Sequence, residues 1–312
     1  PAAGARDAAS ARSPHRRCVL ENLAEIQVIR EVLARHGFRF SKSLGQNFLI
    51  NPTVCPRMAE ASGAAKGVGV LEVGPGIGVL TAELAKRAER VVSVELDKRL
   101  LPVLEETLGE FPHVKIIQGD ILKLDLHRLL QEEFQGLEVV VCANLPYYIT
   151  SPVIMRFLEE KLPLSALTVM VQKEAAERLC ALPGTRACGA VSAAVRYYAE
   201  PEILFGVSRG SFLPPPNVDS AVLRLRVRSA PPVQVPDERK FFALVKAAFG
   251  QRRKTVLNSV SALMGLPKST VEEACRAAGI PPTARAEQLT LEQLAAFSRA
   301  FSETERGASS HD

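Results

Sequence analysis

Between Val68 and Val171, short apolar runs alternate with amphipathic segments, and that alternation constrains the fold more than any other feature of the chain. Val68-Gly69-Val70-Leu71, Val91-Val92-Ser93-Val94, Val114-Lys115-Ile116-Ile117-Gln118 and Val139-Val140-Val141-Cys142-Ala143 are of strand length and rich in β-branched residues. Helical patterns such as Val79 to Arg87 separate them. Strands joined in this way through helices build a parallel sheet with right-handed crossovers, and ligands collect at its C-terminal strand ends. The residues that follow each strand are therefore where chemistry is expected.

Glu72-Val73-Gly74-Pro75-Gly76-Ile77-Gly78 follows the first run. Glycines here permit a tight turn and close backbone approach to a ligand at a helix N-terminus. The G-x-G-x-G spacing differs from the G-x-G-x-x-G of dinucleotide folds, and the Gly-Lys-Ser/Thr of a Walker loop is missing. Glu95 closes the second strand about 20 residues beyond the first glycine, where a carboxylate can hold a ribose diol. Gly119-Asp120-Ile121 ends the third strand, so that Asp120 can accept from an adenine amino group while Ile121 covers the ring. In this order, Gly74, Gly76, Glu95, Asp120 and Ile121 describe a pocket for S-adenosylmethionine. Taken singly, the two acids read as strand-end charges or helix caps.

The fourth run leads into Asn144-Leu145-Pro146-Tyr147. An exocyclic amine on a base is a poor nucleophile because its lone pair is delocalised into the ring. Acceptors on Asn144 and on the Leu145 carbonyl can bind its two N–H groups as the nitrogen turns tetrahedral, which favours the transition state. Pro146 removes a competing donor and stiffens the loop, and Tyr147 offers a face for stacking the base. The plainer reading is a strand followed by a Pro turn with a half-buried Tyr.

Two flanking segments bear on the same site. Ser43-Leu44-Gly45-Gln46-Asn47-Phe48-Leu49 is too polar at Gln46 and Asn47 for a core segment and too apolar for a free loop. It reads otherwise as a linker, with Asn51 capping a helix that starts at Pro52. Downstream, the prolines of Phe212-Leu213-Pro214-Pro215-Pro216-Asn217-Val218-Asp219-Ser220 stiffen a loop. Phe212 there is either a platform that sandwiches an adenine with Tyr147 or a core plug.

These segments, together with Gln251-Arg252-Arg253-Lys254-Thr255, resemble the small-subunit ribosomal RNA adenine N6,N6-dimethyltransferase family (KsgA/RsmA type) from about Ile26 to the last predicted helix. The resemblance implies transfer of four methyl groups from S-adenosylmethionine, two to each of two adjacent adenines near the 3′ end of the small-subunit RNA. It implies that Asn47, Leu49, Gly74, Glu95, Asp120 and Asn144 contact the cofactor, Asn144 also reaching the target amine. Cys188 stands where the family pattern has Tyr, and Ala175 where it has Val; neither falls in the assigned site. The N-terminal arm is longer than the family needs.

The expected fold is α/β, a Rossmann-like class I methyltransferase sheet of seven strands with one antiparallel at the edge, followed by a small all-helical C-terminal domain. Ala190–Tyr198, Glu202–Phe205 and Ala221–Arg228 read as its later strands, and helices are predicted near Asn22–His36, Pro52–Ala61, Asp237–Phe249, Arg253–Leu263, Pro267–Ala278 and Leu291–Ser302. The boundaries that follow are a disordered basic arm over 1–21, a catalytic domain over 22–229, a linker over 230–236 and a helical RNA-binding domain with a flexible tail over 237–312.

With 312 residues and 47% hydrophobic content there is chain for one large domain and a smaller one. No apolar run reaches membrane-spanning length. The six cysteines form no C-x-x-C pair and the five histidines no ligand-spaced cluster with them, so reduced thiols and no metal are expected. A net charge of +5 is compatible with nucleic acid without diagnosing it. Arg252, Arg253 and Lys254 form a tight cluster expected to contact RNA phosphates, while Arg224, Arg226 and Arg228 share one strand face and fit a solvated surface equally well. The expected partner is the small ribosomal subunit or its precursor, bound by a monomer in the cytoplasm. The Arg/Ala/Ser-rich arm leaves a mitochondrial origin as the second reading.

With no placed Cys or His nucleophile beside Asn144, direct in-line methyl transfer is the expected mechanism. The competing functions are a macrolide-resistance methylase acting on large-subunit RNA and a non-catalytic assembly or transcription factor on the same fold.

Overall fold

The computed structural model describes residues 23, 25–41 and 45–309. The arm expected over 1–21, Ser43 and Leu44 of the Gln46 segment, and the last residues of the tail lie outside the described residues.

Helix α1 (Ile26–Arg35), the short strand β1 (Phe48–Leu49) and α2 (Val54–Ala61) come first. Then strands and helices alternate as expected: β2 (Val68–Val73), α3 (Val79–Ala85), β3 (Arg90–Glu95), α4 (Leu101–Leu108), β4 (Val114–Gln118), α5 (Leu126–Glu133), β5 (Glu138–Asn144), α6 (Thr150–Glu159), β6 (Ala166–Gln172) and α7 (Lys173–Leu179). After α8 (Ala190–Tyr198) come β7 (Ala199–Val207), β8 (Phe212–Leu213) and β9 (Ser220–Val227). The C-terminal helical region holds α9 (Glu238–Phe249), α10 (Val256–Met264), α11 (Lys268–Ala277) and α12 (Leu291–Ser309).

The main sheet has seven strands in the order β4-β3-β2-β5-β6-β9-β7. Pairings β3–β4, β2–β3 and β2–β5 are parallel. At the other side the pairings are antiparallel, β9 with β6 and the outermost β7 with β9. The chain forms two compact units, one running to Pro146 and including Arg209–Asn217, the other comprising Tyr147–Ser208 and the chain from Val218 onward.

In the first unit the apolar runs become the core. Val70, Leu71, Val91, Val92, Val141, Cys142 and Ala143 are at most 0% exposed, as strands covered on both faces require. The first unit also carries the small ladder β1–β8, in which Phe48 pairs with Leu213 and Leu49 with Phe212. Ile50 N–H donates to the Ser211 carbonyl at 2.8 Å and Asn51 Nδ2 to Ser211 Oγ at 3.1 Å, extending that ladder. Asn51 Oδ1 meanwhile accepts from the Thr53 N–H and hydroxyl, so the turn it closes delays α2 to Val54 rather than starting it at Pro52.

In the second unit, Tyr197 and Tyr198 of α8 pack on Phe241 and Phe242 of α9, Tyr198 stacking on Phe242 with centroids 5.4 Å apart. Segment Ala190–Tyr198, expected as a strand, is thus a helix. Its Val, Tyr and Tyr favour a strand locally, but Gly189 begins a helix by donating its N–H to Ser192 Oγ at 3.0 Å. Ser192, Ala193, Ala194, Val195, Tyr197 and Tyr198 are all buried, so the segment is apolar nearly all round and periodicity could not tell its type.

Candidate functional site

The four parallel strands of the first unit end along one edge, and each brings a different group there. After β2 the chain turns through Gly74, Gly76 and Gly78, with φ of 68°, 61° and 91°. Side chains rarely adopt these values, and a Cβ on Gly76 would also stand 3.2 Å from the Phe48 ring. Gly74 N–H donates to the Val94 carbonyl at 2.9 Å, tying the turn to β3. Glu72, just before it, is buried and receives the hydroxyls of Thr81 and Ser93 at 2.7 and 2.6 Å. Burial pushes its carboxyl up to about 7. It faces the core and braces α3 against β2 and β3.

Glu95 ends β3 with 6% exposure. Its Oε1 accepts from Asp97 N–H at 2.7 Å, and the Gly76 and Leu96 backbone also donate to its carboxyl. Burial nevertheless raises it to about 7, with the neighbouring Asp97 charge adding to the push. Leu96 between these two acids is 46% exposed. The sequence signal for it is an apolar residue placed directly after a strand-end acid. Gly119 N–H donates to the Glu95 carbonyl at 2.9 Å, which places the end of β4 beside β3. Asp120 Oδ1 accepts from Leu122 N–H at 3.0 Å, and Ile121 is buried.

Asn144 closes β5, half-buried. Its amide makes no hydrogen bond among the described residues. Leu145 behind it is 1% exposed and Pro146 half-buried, so the backbone that presents Asn144 is fixed. Cys142, two residues earlier, is wholly buried and its thiol is pushed far above its ordinary range, so it supplies no nucleophile.

Leu49 lies on β1, with Asn47 just before it donating its amide to the Gly45 carbonyl at 3.1 Å. Phe212 is 2% exposed opposite Leu49, the plug position its sequence context allows. The first unit therefore brings together Asn47, Leu49, Gly74, Gly76, Glu95, Asp120, Ile121, Asn144, Leu145, Pro146 and Phe212. These residues fit S-adenosylmethionine: a glycine turn with open space at Gly74, a buried acceptor in Glu95, and exposed apolar cover at Leu96.

The second unit holds the remaining residues. Tyr147 begins it, its hydroxyl 2.7 Å from Ser220 Oγ. Arg252, Arg253 and Lys254 are exposed on the turn between α9 and α10, where Arg252 Nη2 donates to the Arg186 carbonyl at 2.7 Å. Arg224 and Arg226 pair instead with Glu202, and Arg228 with Glu200, at 2.9 to 3.3 Å. On that strand face the three arginines are ion-paired within the protein, Arg224 and Arg226 sharing the Glu202 carboxylate. Among the described residues no group of His, Cys, Asp and Glu is arranged to hold a metal ion, and no helix is long and apolar enough to cross a membrane.

The Glu95 environment predicts a pH dependence. A ribose diol is held best by the ionised carboxylate, and with its carboxyl at about 7 this group is mostly protonated at pH 6. Cofactor affinity is expected to rise about tenfold from pH 6 to pH 8 as the proton leaves. Calorimetric titration across that range checks it: Glu95→Gln should bind weakly with a flat profile, and an equally steep profile in the variant would assign the titration to another group.

The family model described as ribosomal RNA adenine dimethylase matches residues 37–303. The ribosomal RNA small subunit methyltransferase A of Alkaliphilus oremlandii is 48% identical over 275 residues, covering 88% of this chain and 96% of that protein. Its namesake from Geobacillus thermodenitrificans is 50% identical over 278 residues, covering 87% and 94%. Among solved structures, a dimethyladenosine transferase from Plasmodium falciparum shares the fold at 22% identity, with a TM-score of 0.68 over 83% of this chain and 98% of that one. The 23S rRNA methyltransferase ErmE gives 29% identity and a TM-score of 0.63 over 82% and 100%. With its glycine turn, strand-end acids and Asn-Leu-Pro-Tyr loop embedded in a match of that extent, the chain belongs to the ribosomal RNA adenine dimethylase family.

Proposed function

We propose that this chain dimethylates the N6 amino groups of two adjacent adenines near the 3′ end of small-subunit ribosomal RNA, as a monomer acting in the cytoplasm on the subunit or its precursor. It is an S-adenosylmethionine-dependent methyltransferase. The observation that carries the residue-level reading is the uncommitted Asn144 amide at the end of β5, on the strand edge that also bears Gly74, Glu95 and Asp120.

When bound, S-adenosylmethionine supplies a methyl group on a sulfonium and is released as S-adenosylhomocysteine. Glu95 holds the ribose hydroxyls, Asp120 the adenine amino group, and Leu96 with Ile121 covers the ring. Gly74 and Gly76 let the backbone approach, and Asn47 and Leu49 complete the wall. Asn144 Oδ1 and the Leu145 carbonyl accept the two N–H groups of the target amine. Their dipoles are fixed before reaction and favour the tetrahedral, positively charged nitrogen over the planar one. Its proton then leaves to solvent. Reaching a base edge requires that base to leave its stack, and Tyr147, next in the chain after Pro146, offers it an aromatic face, while Phe212 is the buried partner of Leu49 and serves the site by holding β1 in place.

The deciding experiment supplies labelled S-adenosylmethionine to small subunits from cells lacking this modification and follows with nucleoside mass spectrometry. Dimethyladenosine confined to the 3′-terminal hairpin is the expected product. Label entering large-subunit RNA instead would assign the macrolide-resistance activity. Tight particle binding without label would assign a non-catalytic assembly role.

A further inference from the structure

Gln46 is the polar residue that neither core packing nor cofactor contact accounts for. Its Oε1 accepts from Ser41 N–H and its Nε2 donates to Asp97 Oδ2, both at 2.9 Å. The Asp97 side chain is 5% exposed and engages Arg99 as well, Nε to Oδ1 at 2.8 Å and Nη2 to Oδ2 at 2.6 Å. The Arg99 guanidinium lies 5.1 Å over the Phe38 ring. That ring packs 6.0 Å from Phe48, the first residue of β1. On its other side, Asp97 gives its backbone N–H to the Glu95 carboxylate at 2.7 Å.

Asp97 also accepts from Arg99 N–H at 3.1 Å, the bond of an ordinary cap on a short helical turn. Capping leaves the Gln46 bond unexplained, and it leaves unexplained why a carboxylate buried this far is shared between two segments 51 residues apart. A charged acceptor receiving a neutral amide and a guanidinium is among the stronger hydrogen-bonding arrangements a protein makes.

We propose that Asp97 is a positioning residue for cofactor binding, tying the segment that carries Asn47 and Leu49 to Glu95 so that both walls of the site are held in one geometry. This rests on the reading of the pocket given above. Asp97 touches neither reacting atom, so its loss acts on binding and leaves chemistry alone.

The test uses the full chain, with S-adenosylmethionine titrated calorimetrically and varied in steady-state assays. Asp97→Ala should raise Kd and KM for the cofactor about tenfold, the equivalent of one charge-assisted hydrogen bond. Turnover at saturation should stay within about twofold. Gln46→Ala should lose less, and the double variant no more than Asp97→Ala alone, because both remove the same bond. Asp97→Asn keeps an oxygen for Gln46 and should recover most of the affinity. If Asp97→Ala fails to fold, Asp97→Asn and Gln46→Ala with their double variant carry the same cycle. Strictly additive losses, a fall in kcat at unchanged KM, or wild-type affinity throughout would overturn the role of Asp97. A wild-type chain that binds no cofactor at all would overturn the pocket assignment instead.

Discussion

Replacing Asn144 with alanine should lower single-turnover methylation by about 10²- to 10³-fold, the usual cost of removing one preorganised hydrogen-bonding group aimed at developing charge. The side chain sits half-buried at the end of β5 and contributes no hydrogen bond to the described fold. Its loss should therefore move stability by no more than about 0.5 kcal/mol. RNA affinity should also change little, since the basic turn expected to contact phosphate, Arg252 to Lys254, lies on another part of the chain. Asn144→Asp keeps an acceptor and should retain measurable turnover. Rapid-quench rates alongside anisotropy titrations of RNA make the comparison, and equal losses in rate and RNA binding would sink the assignment.

Neutralising Arg252, Arg253 and Lys254 together should weaken RNA binding on the order of a hundredfold near physiological salt and reduce the salt slope by about 2. All three are exposed and none forms an ion pair among the described residues; the Arg252 bond to the Arg186 carbonyl orients its guanidinium and leaves the charge uncompensated. Arg224, Arg226 and Arg228 provide the internal control. Each already pairs with Glu200 or Glu202, Arg224 and Arg226 sharing the latter, so contacting an RNA phosphate would mean breaking a pair the protein has made. Glutamine at those three should leave the slope nearly intact. A slope that follows the β9 arginines and ignores the α9–α10 turn would reverse the two assignments.

What could be read before the structure was whatever is encoded locally. The strand runs at Val68, Val91, Val114 and Val139 formed where their β-branched content placed them, and the strand-end groups arrived on one edge because parallel pairing leaves them no other place. Three of the four C-terminal helices formed close to their expected bounds, while the last, expected over Leu291–Ser302, runs on to Ser309. Ala190–Tyr198 was misread because a segment buried on nearly every side shows no polar face, and without one a helix and a strand look alike. Gln46 showed only that something must hold it, since its partner Asp97 lies 51 residues away. The braces on Glu72 were not legible either: Thr81 and Ser93 stand 9 and 21 residues further on, and only the packing of α3 and β3 against β2 brings their hydroxyls to its buried carboxyl. The sequence allows Phe212 either of two roles because its partner is remote in the chain, and its burial opposite Leu49 shows that it is the plug.

The ladder of β1 with β8 has a consequence in time. Asn51 and Ser211 are 160 residues apart, yet they close the same small sheet. During synthesis, β2 to β5 can pair as soon as they emerge, while Phe48 and Leu49 must wait for Phe212 and Leu213, which follow five further main-sheet and helical segments. Contacts this distant in sequence are late to form. A nascent chain would thus own the glycine turn and the strand-end acids well before it owned a finished pocket, and a chain arrested ahead of Ser211 would be folded in part but unable to hold its methyl donor.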